Sequence, residues 1–265
     1  MLKNLRRSFW LFRMENRHLF HDVRRFLRPT DKRHFNDTIL HMLVMNKKEY
    51  IDAGIKCAGS FLEHNQARKV AFYVDHDNED YLRRKLAKWQ LGEISRVEVL
   101  TSKNSWQRHK LEIILKNMSS TDLFCDADLY WNGPVDVSMA PLCFVREYVL
   151  RENETYGQLL EILGLDNNSY AMVNTSVVAL GTFAKNETLQ KEVFEIFTKI
   201  QEICEDFAIS LDQREKIKRL SEQLALSIAF THVIAGELRF LKDIDSPMDG
   251  GVAESFYLGT TRGWN

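Results

Sequence analysis

The chain has 265 residues, 45% of them hydrophobic, with 36 Lys and Arg against 37 Asp and Glu, 12 Gly and 4 Pro. That length suits one large domain, or one domain with an appendage, and the composition excludes a disordered, collagenous or low-complexity chain. The net charge of −1 is unevenly distributed: residues 1–33 hold ten basic side chains (Lys3, Arg6, Arg7, Arg13, Arg17, Arg24, Arg25, Arg28, Lys32, Arg33) against three acids (Glu15, Asp22, Asp31), net +7, leaving 26 basic and 34 acidic residues, net −8, for the rest.

The basic segment places Leu5, Phe9, Phe12, Leu19, Phe20, Val23, Phe26 and Leu27 at helical spacings and ends at Pro29. This predicts an amphipathic helix or helix pair over residues 1–28, suited either to packing on a protein surface or to lying on an anionic membrane. From Thr38 the pattern changes. Ile39–Met45, Lys69–Val74, Arg96–Leu100 and Asp122–Cys125 read as buried strands, separated by helices at Tyr50–Phe61, about Glu79–Trp89 and His109–Met118. Single helices between strands predict crossover connections and an α/β fold with a mainly parallel sheet covered on both faces. Ligands in such sheets lie beyond the carboxyl ends of the strands, where Asn46, Asp75, Asp77, Asp126 and Asp128 fall. Further on, helices are expected at Glu154–Leu163, Glu187–Phe207 and Asp212–Ala235, a strand at Tyr170–Leu180, and loop from Asp245 onward.

Cys57, Cys125, Cys143 and Cys204 have no paired ligand spacing and sit in apolar stretches, which predicts buried thiols in a reducing compartment. No apolar run reaches the roughly 18–20 residues of a membrane span, and charges interrupt the first residues where a secretory signal needs an apolar core. A cytoplasmic location is expected, with peripheral membrane association through the arm as its extension.

The most informative stretch is Leu123-Phe124-Cys125-Asp126-Ala127-Asp128-Leu129-Tyr130. Two carboxylates two residues apart at the end of an apolar strand repel unless a cation joins them. A hard divalent ion such as Mg²⁺ or Mn²⁺ takes carboxylate oxygens and keeps positions open for substrate phosphates.

With its flanking stations, this stretch resembles glycosyltransferases of the GT-A fold. In motif order it is most similar to the family-eight galactosyl- and glucosyltransferases related to glycogenin, over roughly Leu40 to Trp264. The stations are Ala58-Gly59-Ser60-Phe61-Leu62-Glu63-His64, Lys110-Leu111-Glu112 before the Asp-x-Asp strand, Asn132-Gly133-Pro134 after it, Ser169 to Val178 around Asn174, and Glu222-Gln223-Leu224-Ala225-Leu226. The resemblance implies a GT-A domain at 35–265 behind a 1–34 arm, with a nucleotide-binding half at 35–134 and an acceptor and sugar half at 135–265. It implies transfer of a sugar from a nucleoside diphosphate donor, UDP-sugar favoured, to a glycan or lipid-linked acceptor, with Mn²⁺ or Mg²⁺. It assigns the metal to Asp128 and, partly through the ribose, to Asp126, and puts Lys110 on the departing diphosphate. Asn46, Asp75 and Asp77 become candidates for base and ribose contacts, and Asn174, Glu222 and Gln223 for the transferred sugar or the acceptor hydroxyl. Glu222 is a general base if the reaction inverts and positions the donor if it retains; retention is slightly favoured.

Two departures stand against the pattern. Related enzymes take a third metal ligand from a C-terminal His, whereas this chain has Ser255-Phe256-Tyr257-Leu258-Gly259 there and no His after His232; Thr175-Ser176 replaces a small-Gly pair. A catalytically weak or metal-independent nucleotide-binding protein is therefore one alternative. A sugar nucleotidyltransferase is another, although Asn46-Lys47-Lys48-Glu49-Tyr50 lacks the glycine-rich loop it needs. A haloacid-dehalogenase-type phosphatase wants Thr or Val where Tyr130 stands. The acidic body argues against nucleic acid as a partner.

Overall fold

The computed structural model describes residues 33–131, 133–143, 159–164, 173–205, 210–241 and 253–255. Arg33–Asn265 forms one compact unit. The amphipathic helix expected over residues 1–28 and the segment Phe256–Trp264 lie outside the described residues.

Strands and helices alternate through the first half: β1 (Arg33–Leu43), α1 (Lys48–His64), β2 (Asn65–Asp75), α2 (Glu79–Lys88), β3 (Ser95–Leu100), α3 (Trp106–Glu112) and β4 (Leu123–Asp126). The second half adds β5 (Leu129–Trp131), β6 (Leu142–Cys143), β7 (Val177–Ala179), α4 (Glu187–Glu205), α5 (Leu211–Arg219), α6 (Ser221–Val233), β8 (Arg239–Phe240) and β9 (Ala253–Ser255). Among the described residues one sheet runs β3-β2-β1-β4-β7-β6-β8, and β5 pairs with β9 in a second. The β3-β2-β1-β4 half is parallel throughout, as the strand and helix alternation predicts. β7 enters antiparallel to both neighbours, and β6 and β8 run parallel to each other.

Alternation along β1 divides the core. Leu40 and Met42 pack with Ile51, Ile55 and Phe61 of α1 on one face, while Ala71, Tyr73 and Phe124 meet Leu111 of α3, Val193 of α4 and Leu226 of α6 on the other. Helices thus cover both faces, so the parallel strands bury apolar side chains on each. Asp122, just before β4, anchors the layer: its carboxylate accepts from the backbone N–H of Ile39 at 2.9 Å and of Ser119 at 2.7 Å, and contacts His41 Nε2 at 3.3 Å. Burial would raise the Asp122 pKa, but these bonds, led by His41, hold it below its ordinary value.

Two packing details position the loops after the strands. Gly54 of α1 sits where a Cβ would come within 2.6 Å of Val44 Cγ1 and 2.8 Å of Met42 Sδ, so only the missing side chain lets the helix approach β1 this closely. Ser60, six residues on, donates to the Cys57 carbonyl at 2.9 Å and accepts from Trp131 N–H at 3.0 Å, tying α1 to β5. Phe61 meets the buried Trp131 ring edge to face, with centroids 5.2 Å apart.

Differences from the sequence expectation fall mostly in the second half. The helix expected over Asp212–Ala235 is two helices broken at Leu220, where Lys218 C=O accepts from Gln107 Nε2 at 3.0 Å and Ser221 Oγ at 2.8 Å instead of continuing the ladder. Of the expected Tyr170–Leu180 strand, Val177–Ala179 is strand, and residues 170–172 lie outside the described residues. Residues 174–176 turn because Asn174 Oδ1 takes the Ser176 N–H at 2.9 Å, a local bond that competes with sheet pairing. The third helix leaves α geometry early and finishes as a π turn, Ile113–Asn117, whose Leu115 C=O is taken by Gln190 Nε2 at 3.0 Å. Part of the expected C-terminal loop is β9. Of the expected Glu154–Leu163 helix, residues 159–162 are helical and the earlier ones lie outside the described residues.

Candidate active site

Because β1, β2 and β4 are parallel, their carboxyl ends emerge on the same side, and the loops that follow them converge there. β4 delivers Asp126 to this edge. Its N–H donates to Ser176 C=O at 2.7 Å, which fixes it beside the Asn174–Ser176 turn. α3, running back along the sheet, brings Lys110 under the same edge, and the break at Leu220 places Glu222 and Gln223 in the first turn of α6.

Lys110 and Glu222 are buried and form a charge cluster with the partly exposed Asp126. Lys110 is 3% exposed; its Nζ lies 2.9 Å from Asp126 Oδ1, 3.1 Å from Oδ2 and 3.6 Å from Glu222 Oε1. Burial alone would lower the lysine pKa, but Asp126 first and Glu222 next more than offset it, so Lys110 is held above its ordinary value as a cation. Glu222 is pushed up to about 7, chiefly by burial, with Lys110 opposing and Asp126 reinforcing the shift. The ammonium therefore belongs first to Asp126, and Glu222 is the outer partner. Glu222 Oε2 is buried and has no hydrogen-bond partner among the described residues.

Asp128 follows across Ala127, which is buried and lies close to Gly54. A tyrosine not singled out from the sequence joins this edge: Tyr50, in the first turn of α1, is half-buried, and its hydroxyl pKa is raised by burial and then by the charges of Asp128 and Asp126, with Arg219 pulling it down. One signal in the sequence marks it, an aromatic in the first turn of a helix that starts at a parallel strand's carboxyl end. Arg219, last residue of α5, is the cation closest along the chain to Glu222 and is exposed.

The other predicted positions have identifiable settings. Asn46 is exposed with φ of 74°, and its N–H donates to Asp75 Oδ2 at 2.6 Å; Asp75 Oδ1 accepts from Asn78 N at 3.1 Å and Nδ2 at 2.7 Å. Asp75 thus clips together the loops after β1 and β2. Asp77 is exposed in the 3₁₀ turn His76–Asn78. Asn174 and Gln223 are buried. Their elements are linked through Ser227, whose Oγ donates to Gln223 C=O at 2.7 Å and accepts from Val173 N–H at 3.0 Å. Structure therefore gathers Lys110, Asp126, Asp128, Asn174, Glu222 and Gln223 around one edge, with the Asn46 and Asp75 pair at the neighbouring strand ends.

A divalent ion fits the chemistry of the donor set in part. Asp126 and Asp128 offer oxygen ligands suited to Mg²⁺ or Mn²⁺, and each Asp126 oxygen keeps a lone pair beyond its contact with Lys110. Among the described residues no group of three or more His, Cys, Asp or Glu is arranged to hold a metal. The backbone of Ser255 in β9 pairs with Leu129, the residue after Asp128, so the C-terminal segment returns to this spot without a histidine.

By sequence the chain matches no protein-family profile and no curated protein. By structure it is similar to solved glycosyltransferases. The galactosyltransferase LgtC in complex with donor and acceptor sugar analogs shares 11% identity at a TM-score of 0.46, covering 83% of this chain and 87% of that one. Mouse xyloside xylosyltransferase 1 in its apo form shares 12% at 0.48, covering 84% and 99%. The apo form of glycosyltransferase GlyE from Streptococcus pneumoniae shares 14% at 0.46, covering 86% and 56%. At such identities the roles of individual residues rest on this chain's own geometry.

Proposed function

We propose that the chain is a glycosyltransferase that moves a sugar from a nucleoside diphosphate donor, UDP-sugar favoured, to a glycan or lipid-linked acceptor. The observation that carries this reading is the Lys110–Asp126–Glu222 cluster beside Asp128 at the carboxyl ends of parallel strands. Glycosyl transfer breaks the bond between the sugar's anomeric carbon and the diphosphate, forms one to an acceptor oxygen, and requires the acceptor's proton to leave. A site for it needs carboxylates near the sugar, a polar floor and counter-charge for the departing diphosphate. A divalent ion held by Asp128 and Asp126 would supply part of that counter-charge.

The protein's own groups divide the remaining work. Lys110 holds Asp126 in place and keeps Glu222 close to it. Glu222 Oε2, buried and without a hydrogen-bond partner among the described residues, is suited to a hydroxyl of the transferred sugar or the acceptor. In the favoured retaining reaction it positions the donor; in an inverting one it takes the acceptor's proton, for which a pKa of about 7 is well matched. Asn174 and Gln223 flank the sugar site, while Asn46, Asp75 and Asp77 border the nucleoside side. Cytoplasmic action is consistent with four buried free thiols, and we assign the basic segment 1–28 to an anionic membrane surface near the acceptor. The missing histidine favours one second reading, a nucleotide-binding protein of this fold that works weakly or without metal.

The test is a thermal-shift panel of UDP, GDP, ADP and their sugars, with and without Mn²⁺, on the parent and on Asp128→Asn. One nucleotide at about 100 times its dissociation constant should raise Tm by about 5–10 °C in the parent, with a smaller rise in the variant. No shift from any nucleotide overturns the glycosyltransferase reading. An equal shift in both proteins, independent of Mn²⁺, moves the balance to the metal-independent reading.

A further inference from the structure

Burial of Lys110 creates an electrostatic problem for the proposed reaction. A nucleoside diphosphate brings about two to three negative charges to an edge already holding Asp126, Asp128 and Glu222, and like charges at a few ångströms repel strongly. Lys110 is the obvious counter-charge from sequence, yet it is 3% exposed and its ammonium is engaged on both Asp126 oxygens and near Glu222. Withdrawing it to meet a phosphate would leave the buried Glu222 and the partly buried Asp126 without compensation.

Arg219 is the alternative that the fold supplies. The helix break at Leu220 puts it at the corner between α5 and α6, three residues before Glu222. This corner is fixed: Lys218 C=O accepts from Gln107 Nε2 of α3 at 3.0 Å and from Ser221 Oγ at 2.8 Å, and Ser221 Oγ accepts from Gln201 Nε2 of α4 at 2.9 Å. Three helices thus hold the backbone beside Arg219 in place, so its guanidinium hangs from a rigid base. Its side chain is exposed and makes no hydrogen bond or ion pair among the described residues. Gln107 stands three residues before Lys110 on α3, so its bond to the Lys218 carbonyl holds the Arg219 corner within about one helical turn of Lys110.

We propose that Arg219 is the residue that binds the donor's diphosphate, while Lys110 acts as a buried positioning residue for Asp126 and Glu222. The inference rests on the glycosyltransferase reading and deepens it. An exposed guanidinium presents a planar fork of donors to phosphate oxygens, bidentate and permanently charged, and among the described residues it has no hydrogen bond to give up.

Calorimetric titration, with Mn²⁺ present throughout, of UDP, GDP and ADP, and of the matching nucleosides, into the parent, Arg219→Ala and Arg219→Lys tests it. The preferred diphosphate should bind Arg219→Ala roughly 10- to 100-fold more weakly than the parent, with Arg219→Lys in between. Its nucleoside should bind all three alike, and melting temperatures should agree within about 2 °C, as expected at an exposed position. If the parent binds a diphosphate and Arg219→Ala binds it equally well, the inference is wrong and the glycosyltransferase reading stands. If nucleoside and diphosphate weaken together, Arg219 shapes the pocket rather than meeting the phosphates, which also overturns the inference. If the parent binds none of the three diphosphates, both fall.

Discussion

Glu222 holds a proton to about pH 7 because its carboxyl is buried and Asp126 has first claim on the nearby ammonium. In the unfolded chain the same group releases its proton near 4.5. Between these values the folded state binds more protons, so this contribution to stability is complete below pH 4.5 and is lost as pH rises through 7. A shift of this size corresponds to roughly 3 kcal/mol of penalty for the charged form above pH 7. Glu222→Gln keeps the shape and removes the titration. The difference in Tm between variant and parent should therefore move in the variant's favour by about 5–10 °C from pH 4.5 to 7 and level off above it, on top of any constant offset from the changed contact with Lys110. Differential scanning fluorimetry from pH 4.5 to 8.5 measures this, and a difference that stays flat across the range would show that Glu222 does not carry the shift.

Among elements, the connection between α1 and β5 decides where Asp128 sits. Ser60 Oγ is the acceptor for Trp131 N–H, and both residues are buried. Ser60→Ala leaves that N–H unsatisfied, a cost of about 1–3 kcal/mol, or a fall of roughly 2–10 °C in Tm. β5 begins one residue after Asp128, so the variant should also bind Mn²⁺-dependent nucleotide more weakly than its loss of stability explains. Ser60→Thr, which retains a hydroxyl, should recover part of the binding. Equal nucleotide affinity in parent and Ser60→Ala would detach this contact from the site. The serine was visible in the sequence as one station of a motif, but its job as an acceptor for β5 was not. Legibility in the first half has a plain cause: strands such as Leu123–Cys125 are apolar throughout and stop at Asp or Asn, while the helices between them alternate in period. In the second half β6 and β8 have two residues each, too short to carry any period, and no Gly or Pro marks the break at Leu220. At that break Lys218 C=O is taken by the neighbouring Ser221 and by Gln107 from a distant helix, a partner that residue order does not reveal, and with it goes the position of Arg219. Candidate residues at strand ends were legible because parallel sheets put their ligands there; that Lys110 would be buried between two carboxylates depends on packing that residue order does not encode.

At the scale of the whole molecule the charge separation matters most. The −8 carried by residues 34–265 includes Asp126, Asp128 and Glu222, which gather at one edge, so part of this acidity belongs to the candidate site. No helix among the described residues is long and apolar enough to cross a membrane. The +7 of residues 1–33 is the reason to expect membrane contact, since each Lys or Arg near an anionic leaflet adds about 1 kcal/mol and its effect fades within a Debye length of about 8–10 Å. Removing two charges with Arg24→Gln and Arg25→Gln should then weaken binding to vesicles containing about a third phosphatidylserine by roughly 30-fold, with no change toward neutral phosphatidylcholine vesicles. Raising salt from 0.1 M to 0.5 M should release the parent and narrow its gap to the variant, because screening acts on the charges that were removed. Co-sedimentation at both salt concentrations reads all three effects. Binding that ignores lipid charge and salt would assign the segment's aromatic and aliphatic residues to a protein surface instead, and the acceptor would then have to reach the site without help from the arm.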